Sequence, residues 1–317
     1  MGNSSQEDQM ILAAWLYYEE RLTQEEIAEQ LGVSRVAITR LLQRARQEGI
    51  VQIRVTRPLP LQYELERQLK IKFDLENIIV VNTADAMDET LEAIGQAGAL
   101  LLSKLIFTDC RLGMAWSSTV TRIAPYIDKP ARPLKMAVNE LAGTFLGPDT
   151  PYGVSWRVAE KLGVPLESLP VPVVVQNEAA LSAIMQEDRI QLALTHAAEV
   201  DIALVGLGDV SPESSMIRTG YLTPDQMAEM RSRGAVGDVL MRFYDIEGHH
   251  VPNPYEARTI SLQWEQILVI PHIVVMACGK RKAEAILGAL RAGMVKSLVT
   301  DVAAAEAVLG LSQESVA

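Results

Sequence analysis

The chain has 317 residues, 49% of them hydrophobic and 22% charged, with a formal net charge of −11 at pH 7. That balance supports a large α/β core with a small appended domain and excludes a disordered or low-complexity chain. There is no basic leader, no long uncharged apolar run and no cysteine pair at metal or redox spacing. A soluble cytoplasmic protein is therefore expected, with Cys110 and Cys278 as core residues, no membrane span, no metal and no cofactor.

Met10, Ile11, Ala13, Ala14, Leu16 and Tyr17 recur at helical spacing and predict a first helix over residues 6–20. Thr23, with Glu26 three residues on, forms a capping box that opens a short second helix with Ile27, Ala28 and Leu31 inward. Gly32 permits a tight turn, and Ser34 caps a third helix from Arg35 to about Glu48, closed by Gly49. This is the helix-turn-helix pattern, in which the last helix enters the major groove of DNA. Val36, Ile38, Leu41, Leu42 and Ala45 are assigned to its apolar side. Ser34, Arg35 and Thr39 then become candidate DNA contacts, with Arg40, Arg44 and Arg46 placed for phosphates; Tyr17 and Gln24 from the preceding helices join the set. IVQIRVTR, residues 50–57, alternates as a strand that completes a wing. Residues 31–57 hold six arginines against the single acidic Glu48, so a basic face exists inside an acidic protein.

Pro58 and Pro60 introduce LQYELERQLKIKF, a predicted linker helix with Leu61, Leu65, Leu69 and Ile71 on one side, expected in a mixed role that packs on its own domain and pairs with a partner chain. From residue 74 onward apolar runs such as NIIVV, SLPVPVVV, DIALVGLG and ILVIPHIVVMACG alternate with helical patterns, including STVTRIAPYI. Continuous apolar strands between helices predict a Rossmann-like, mainly parallel sheet covered on both faces. The expected domains are a winged helix-turn-helix at 1–57, a linker helix at 58–73 and an effector-binding, oligomerising α/β domain at 74–317.

Ligands bind such sheets beyond the carboxyl ends of the strands. GMAWSSTVTRIA ends a strand at Trp116 and starts a helix with Ser117, Ser118 and Thr119, which suit a phosphate or sugar oxygen or serve only as a cap. ELAGTFLG contributes Gly143 and Thr144, and SLPVPVVVQNE contributes Gln176. Gly206 and Gly208 of DIALVGLGDV are a lone GxG, which indicates a tight turn before it indicates phosphate.

WLYYEERLTQEEIAEQLGVSRVAITRLLQRARQEGIVQI resembles the N-terminal domain of the SorC family of bacterial sugar-responsive transcriptional regulators. Tyr17–Tyr18, Thr23–Gln24, Ile27–Ala28 and Gly49–Ile50–Val51 carry the match, and GAVGDVLMRFYDIEGHHV and CGKRKAEAILGALRAGMVKSLVTD extend it almost to the C-terminus. The resemblance implies Asp238 as a sugar-hydroxyl ligand, Lys282 as a basic ligand and a tetrameric assembly, a dimer of dimers. Both residue types suit those roles, because a carboxylate accepts from hydroxyls and an ammonium holds a phosphate as a point charge. Many relatives have glycine after the Trp116 position, so Ser117 is a departure.

The large domain also resembles the phosphosugar isomerase and deaminase fold, which makes an enzyme the first rival reading; a constitutive DNA-binding protein with a purely oligomerising domain is the second. No HExxH, GxSxG or P-loop pattern is present, and the four histidines are scattered. No catalytic residue is assigned. The expected function is an operator-binding regulator of carbohydrate use, with double-stranded DNA, a sugar or sugar phosphate and further copies of the chain as partners.

Overall fold

The computed structural model describes residues 2–51, 59–130, 133–144 and 153–314. The chain divides into two compact units, Met1–Leu59 and Pro60–Ala317.

The first unit contains the helices Gly2–Tyr18, Gln24–Leu31 and Arg35–Gln47. Met10, Ala13, Leu16, Ile27, Ala28, Ile38, Leu42 and Ala45 form its core. The capping box is present: the Glu26 amide donates to Thr23 Oγ1, and the Thr23 amide donates to Glu26 Oε2 at 2.8 Å. Gly32 turns the chain at φ 66°, a left-handed conformation that glycine adopts without a Cβ clash, and Ser34 caps the third helix by accepting from the Ala37 amide. Val36 departs from expectation: it is 62% exposed, because it lies across the helix from Ile38. The predicted wing strand falls largely on residues 52–57, outside the described residues; Val51 just before it donates its amide to the Ala45 carbonyl.

The second unit opens with the helix Leu61–Phe73, which buries Leu65 and Leu69 in that unit's core, whereas Leu61 and Ile71, expected on the same side, are exposed. The segment expected as a separate linker is thus an integral layer of the α/β unit. Strands β1 (Asn77–Val81), β2 (Arg111–Met114), β3 (Ala137–Glu140), β4 (Leu166–Glu167) and β5 (Ile202–Gly206) precede a small sheet of β6 (Gly208–Asp209), β7 (Ala235–Val239) and β8 (Arg242–Asp245). The chain then returns through β9 (His272–Met276) and β10 (Val295–Asp301). The main sheet has the order β1-β10-β9-β5-β2-β3-β4, and every pairing in it is parallel.

Successive strand residues alternate between faces, so Ala203 and Val205 enter one core layer while Ile202 and Leu204 enter the other. Helices Leu61–Phe73, Ala283–Arg291 and Val302–Glu314 cover the first face; Met87–Leu105 and Val154–Leu162 cover the second. Cys110 and Cys278 are both buried there, as free thiols. Chain order runs from β2 outward to β3 and β4 on one side and to β5 and β9 on the other, so the topological switch lies between β2 and β5.

Two segments behave differently from their patterning. The apolar run around Pro170 and Pro172 makes only isolated bridges, Thr144 with Pro172 and Val174 with Thr259, since proline cannot donate to a ladder. STVTRIAPYI forms a 3₁₀ helix, Val120–Tyr126, with Pro125 inside it. Among the described residues no helix is long and apolar enough to cross a membrane.

Candidate effector cavity and DNA-reading face

The loops that leave β2, β3, β5 and β9 meet in one cavity at the switch point of the sheet, where parallel α/β folds admit ligands. Of the eleven effector residues expected from sequence, Trp116, Ser117, Ser118, Thr119, Gly143, Gly206, Gly208, Asp238 and Lys282 line it. Thr144 and Gln176 do not. Thr144 pairs its backbone with Val171 and Val173, beside the cavity wall, and Gln176 is exposed just before the helix cap Asn177. The segment that leads to Gln176 leaves the main sheet at Pro170 and Pro172, so its end is not a strand end of that sheet.

The floor of the cavity is a buried ionic cluster. Lys282 Nζ stands 2.8 Å from Asp209 Oδ2 and donates to the Leu207 carbonyl at 2.7 Å. Burial works to raise the Asp209 carboxyl, but Lys282, Ser211 and Arg281 outweigh it and hold it below the usual aspartate range. Asp238, also buried, lies next to this pair. Its Oδ2 accepts from the Met241 amide, and its Oδ1 has no hydrogen-bond partner. Burial raises the Asp238 carboxyl to about 7, against the opposing pull of Lys282 and the Met241 amide. An orphaned buried carboxylate oxygen is costly unless something donates to it.

The two glycines of the GxG have a definite steric role. A Cβ on Gly208 would lie 1.6 Å from Asp238 Oδ1, and one on Gly206 would lie 2.3 Å from Ser117 Oγ. They admit the Asp238 and Ser117 side chains close to the end of β5.

The hydroxyls after β2 are mostly engaged by the protein itself. Ser117 Oγ accepts from the Val120 amide and bonds Thr119 Oγ1, which donates to the Met276 carbonyl at 2.7 Å. They tie the β2 loop to β9, and the helix they start is the 3₁₀ segment Val120–Tyr126 and not an α-helix. Ser118 is exposed and stands between the cavity and a wider chamber lined by Arg122, Arg157 and Arg218, which shares Trp116, Ser118 and Ser215 with it. Arg122 is neutralised there by Asp88 and Glu92, each at 2.8 Å.

Several participants were invisible to pattern reading. Leu240 and Met241 border the cavity from the β7–β8 turn, both at positive φ, 52° and 66°. Asp301 accepts from the Gly279 amide and steadies the loop that carries Lys282. Asp209, Ser215 and the chamber arginines carry no motif; only the position of Asp209 directly after the GxG marks a strand end. None of the four histidines lines the cavity.

In the first unit the expected DNA-reading residues are found in different states. Ser34 uses its hydroxyl as a cap, and Thr39 Oγ1 donates to Gln24 Oε1 at 2.8 Å, bracing the two helices of the motif. Arg35 lies 3.9 Å from Glu25, Arg44 pairs with Glu48, and Arg46 donates to the Tyr18 hydroxyl beside an edge-on Tyr17. Arg40 is exposed and has no acidic partner among the described residues. Exposed pairs of this kind are worth little and exchange readily for phosphate.

Comparison with known proteins adds to this geometry. The Sugar-bind family of sugar-binding domains matches residues 58–310, and a Crp-like helix-turn-helix domain matches residues 12–61. The chain is 29% identical to the sorbitol operon regulator of Klebsiella pneumoniae over 314 residues, 98% of this chain and 100% of that protein. It is 30% identical to the transcriptional regulator LsrR of Escherichia coli K12 over 310 residues, 96% of this chain and 95% of that one. The crystal structure of full-length SorC from Klebsiella pneumoniae superposes with a TM-score of 0.74 at 28% identity, covering 96% of this chain and 99% of that chain.

Proposed function

The chain belongs to the SorC family of bacterial sugar-responsive transcriptional regulators, and on that premise we propose how it works. A sugar or sugar phosphate enters the cavity at the β2/β5 switch and controls the affinity of the first unit for operator DNA of a carbohydrate-utilisation operon. The observation that carries this reading is Asp238: a buried carboxylate with an unpartnered Oδ1, facing a cavity next to Lys282. A sugar hydroxyl donated to Oδ1 satisfies that oxygen and favours its ionised form. Lys282, held by Asp209, presents positive charge to the same space. Ser118, Arg157 and Arg218 lie on the way out and suit the anionic end of a phosphorylated ligand.

On the same reading the protein is cytoplasmic and its chains pair, since a two-fold operator needs two reading heads, and they form the homotetramer, a dimer of dimers, that the family resemblance implies. Its domains are the reading head at 1–57 and the effector and assembly domain at 74–317, with the helix of 58–73 packed on the latter as part of the second unit. It binds its sugar without turning it over. Thermal melting of the purified protein against free and phosphorylated sugars tests the site: a true effector raises the melting temperature of the wild type through mass action. Asp238→Ala and Lys282→Ala abolish that rise. Effector-induced shifts retained in both variants would place the ligand elsewhere.

A further inference from the structure

The outer stripe of the helix Arg35–Gln47 carries one aliphatic side chain where a polar one would serve the fold better. Val36 is 62% exposed, while Ile38, Leu42 and Ala45 on the opposite side are buried. At 3.6 residues per turn Val36 shares its stripe with Arg40 and Gln43, both exposed. A β-branched residue lowers helix propensity, and an exposed apolar one adds no packing, so the folding of this unit gives no reason for valine here.

Its surroundings sharpen the point. Ser34 is engaged as the cap, Thr39 is bonded to Gln24, and Arg35 leans towards Glu25. Val36 therefore presents two methyl groups in the first turn of the helix that enters the groove. Of the features a base pair offers in the major groove, the apolar one is the C5-methyl of thymine. We infer that Val36 is a specificity-determining residue that reads a thymine methyl group in each operator half-site. Its χ1 is stiff, so the two methyl groups are held ready at little entropic cost. This inference rests on the DNA-reading function of the first unit.

The test separates the two claims. Full-length protein is used to select duplexes from a randomised pool, and each thymine of the selected site is then replaced by uracil, which lacks only the methyl group. At one thymine per half-site the wild type loses roughly fourfold in affinity, the worth of one buried methyl. Val36→Ala binds the thymine and uracil duplexes alike at that position. Its unchanged melting temperature shows that the exposed substitution leaves the fold intact. If no thymine-to-uracil change weakens the wild type, or if every such change weakens Val36→Ala equally, the inference is overturned while the regulator reading stands. If the pool shows no enrichment at all, both fall.

Discussion

Asp238 concentrates the chemistry of the second unit in one side chain. Because burial raises its folded carboxyl to about 7, the folded protein prefers it protonated. The associated stability is complete below the ordinary aspartate range, near pH 4, and is lost as pH rises through about 7. Asp238→Asn removes that loss. The variant should melt at a higher temperature than the wild type at pH 8, by on the order of 3 kcal/mol in stability, and the two curves should converge towards pH 4. Parallel melting curves from pH 4 to 8 would contradict the assignment. Arg40 is the corresponding residue in the reading head: an exposed guanidinium with no acidic partner among the described residues. Arg40→Ala should weaken binding to all duplexes and reduce the salt-dependence slope by about one for each head bound. A sequence-selective loss with an unchanged slope would instead make Arg40 a base reader.

At the scale of elements, the caps and turns of the first unit were legible because Thr23, Glu26, Gly32 and Ser34 each act on atoms within three or four residues. The parallel strands were legible from continuous apolar runs, since a strand covered on both faces has no polar side. The β7–β8 hairpin was not. Its turn places Leu240 and Met241 at positive φ, without the asparagine or glycine that signals such a turn. Strain of this kind persists only where surrounding structure enforces it, and here it brings both side chains to the cavity. The pairing of β6 with β7 was equally hidden, although Gly208 opposite Asp238 is its key contact. Gly208→Ala should force the two strands apart, at a cost of about 1–3 kcal/mol, and remove effector binding. A variant with wild-type stability and effector response would show that this approach is not required.

For the whole molecule, charge and topology divide the work. The acidic balance of −11 disfavours indiscriminate contact with nucleic acid, while the arginines of the first unit supply local attraction. Nine of eleven effector residues expected from sequence meet in one cavity because the switch-point rule converts chain order into location. Gln176 lies apart because prolines took its segment out of the sheet, and Thr144 because its backbone pairs with that segment beside the cavity wall, tertiary outcomes that local patterning does not encode. Under the proposed reading, control of DNA binding requires that the effector bind two states of the protein unequally, with a coupling of about 5- to 150-fold in typical cases.

The most direct test is a titration of a selected operator duplex by the full-length protein, with and without a panel of sugars and sugar phosphates, for wild type and Asp238→Asn. At least one member of the panel should change wild-type affinity within that range and leave Asp238→Asn unmoved. An Asp238→Asn protein that responds as the wild type does, or a wild type indifferent to the whole panel, would contradict control through this cavity.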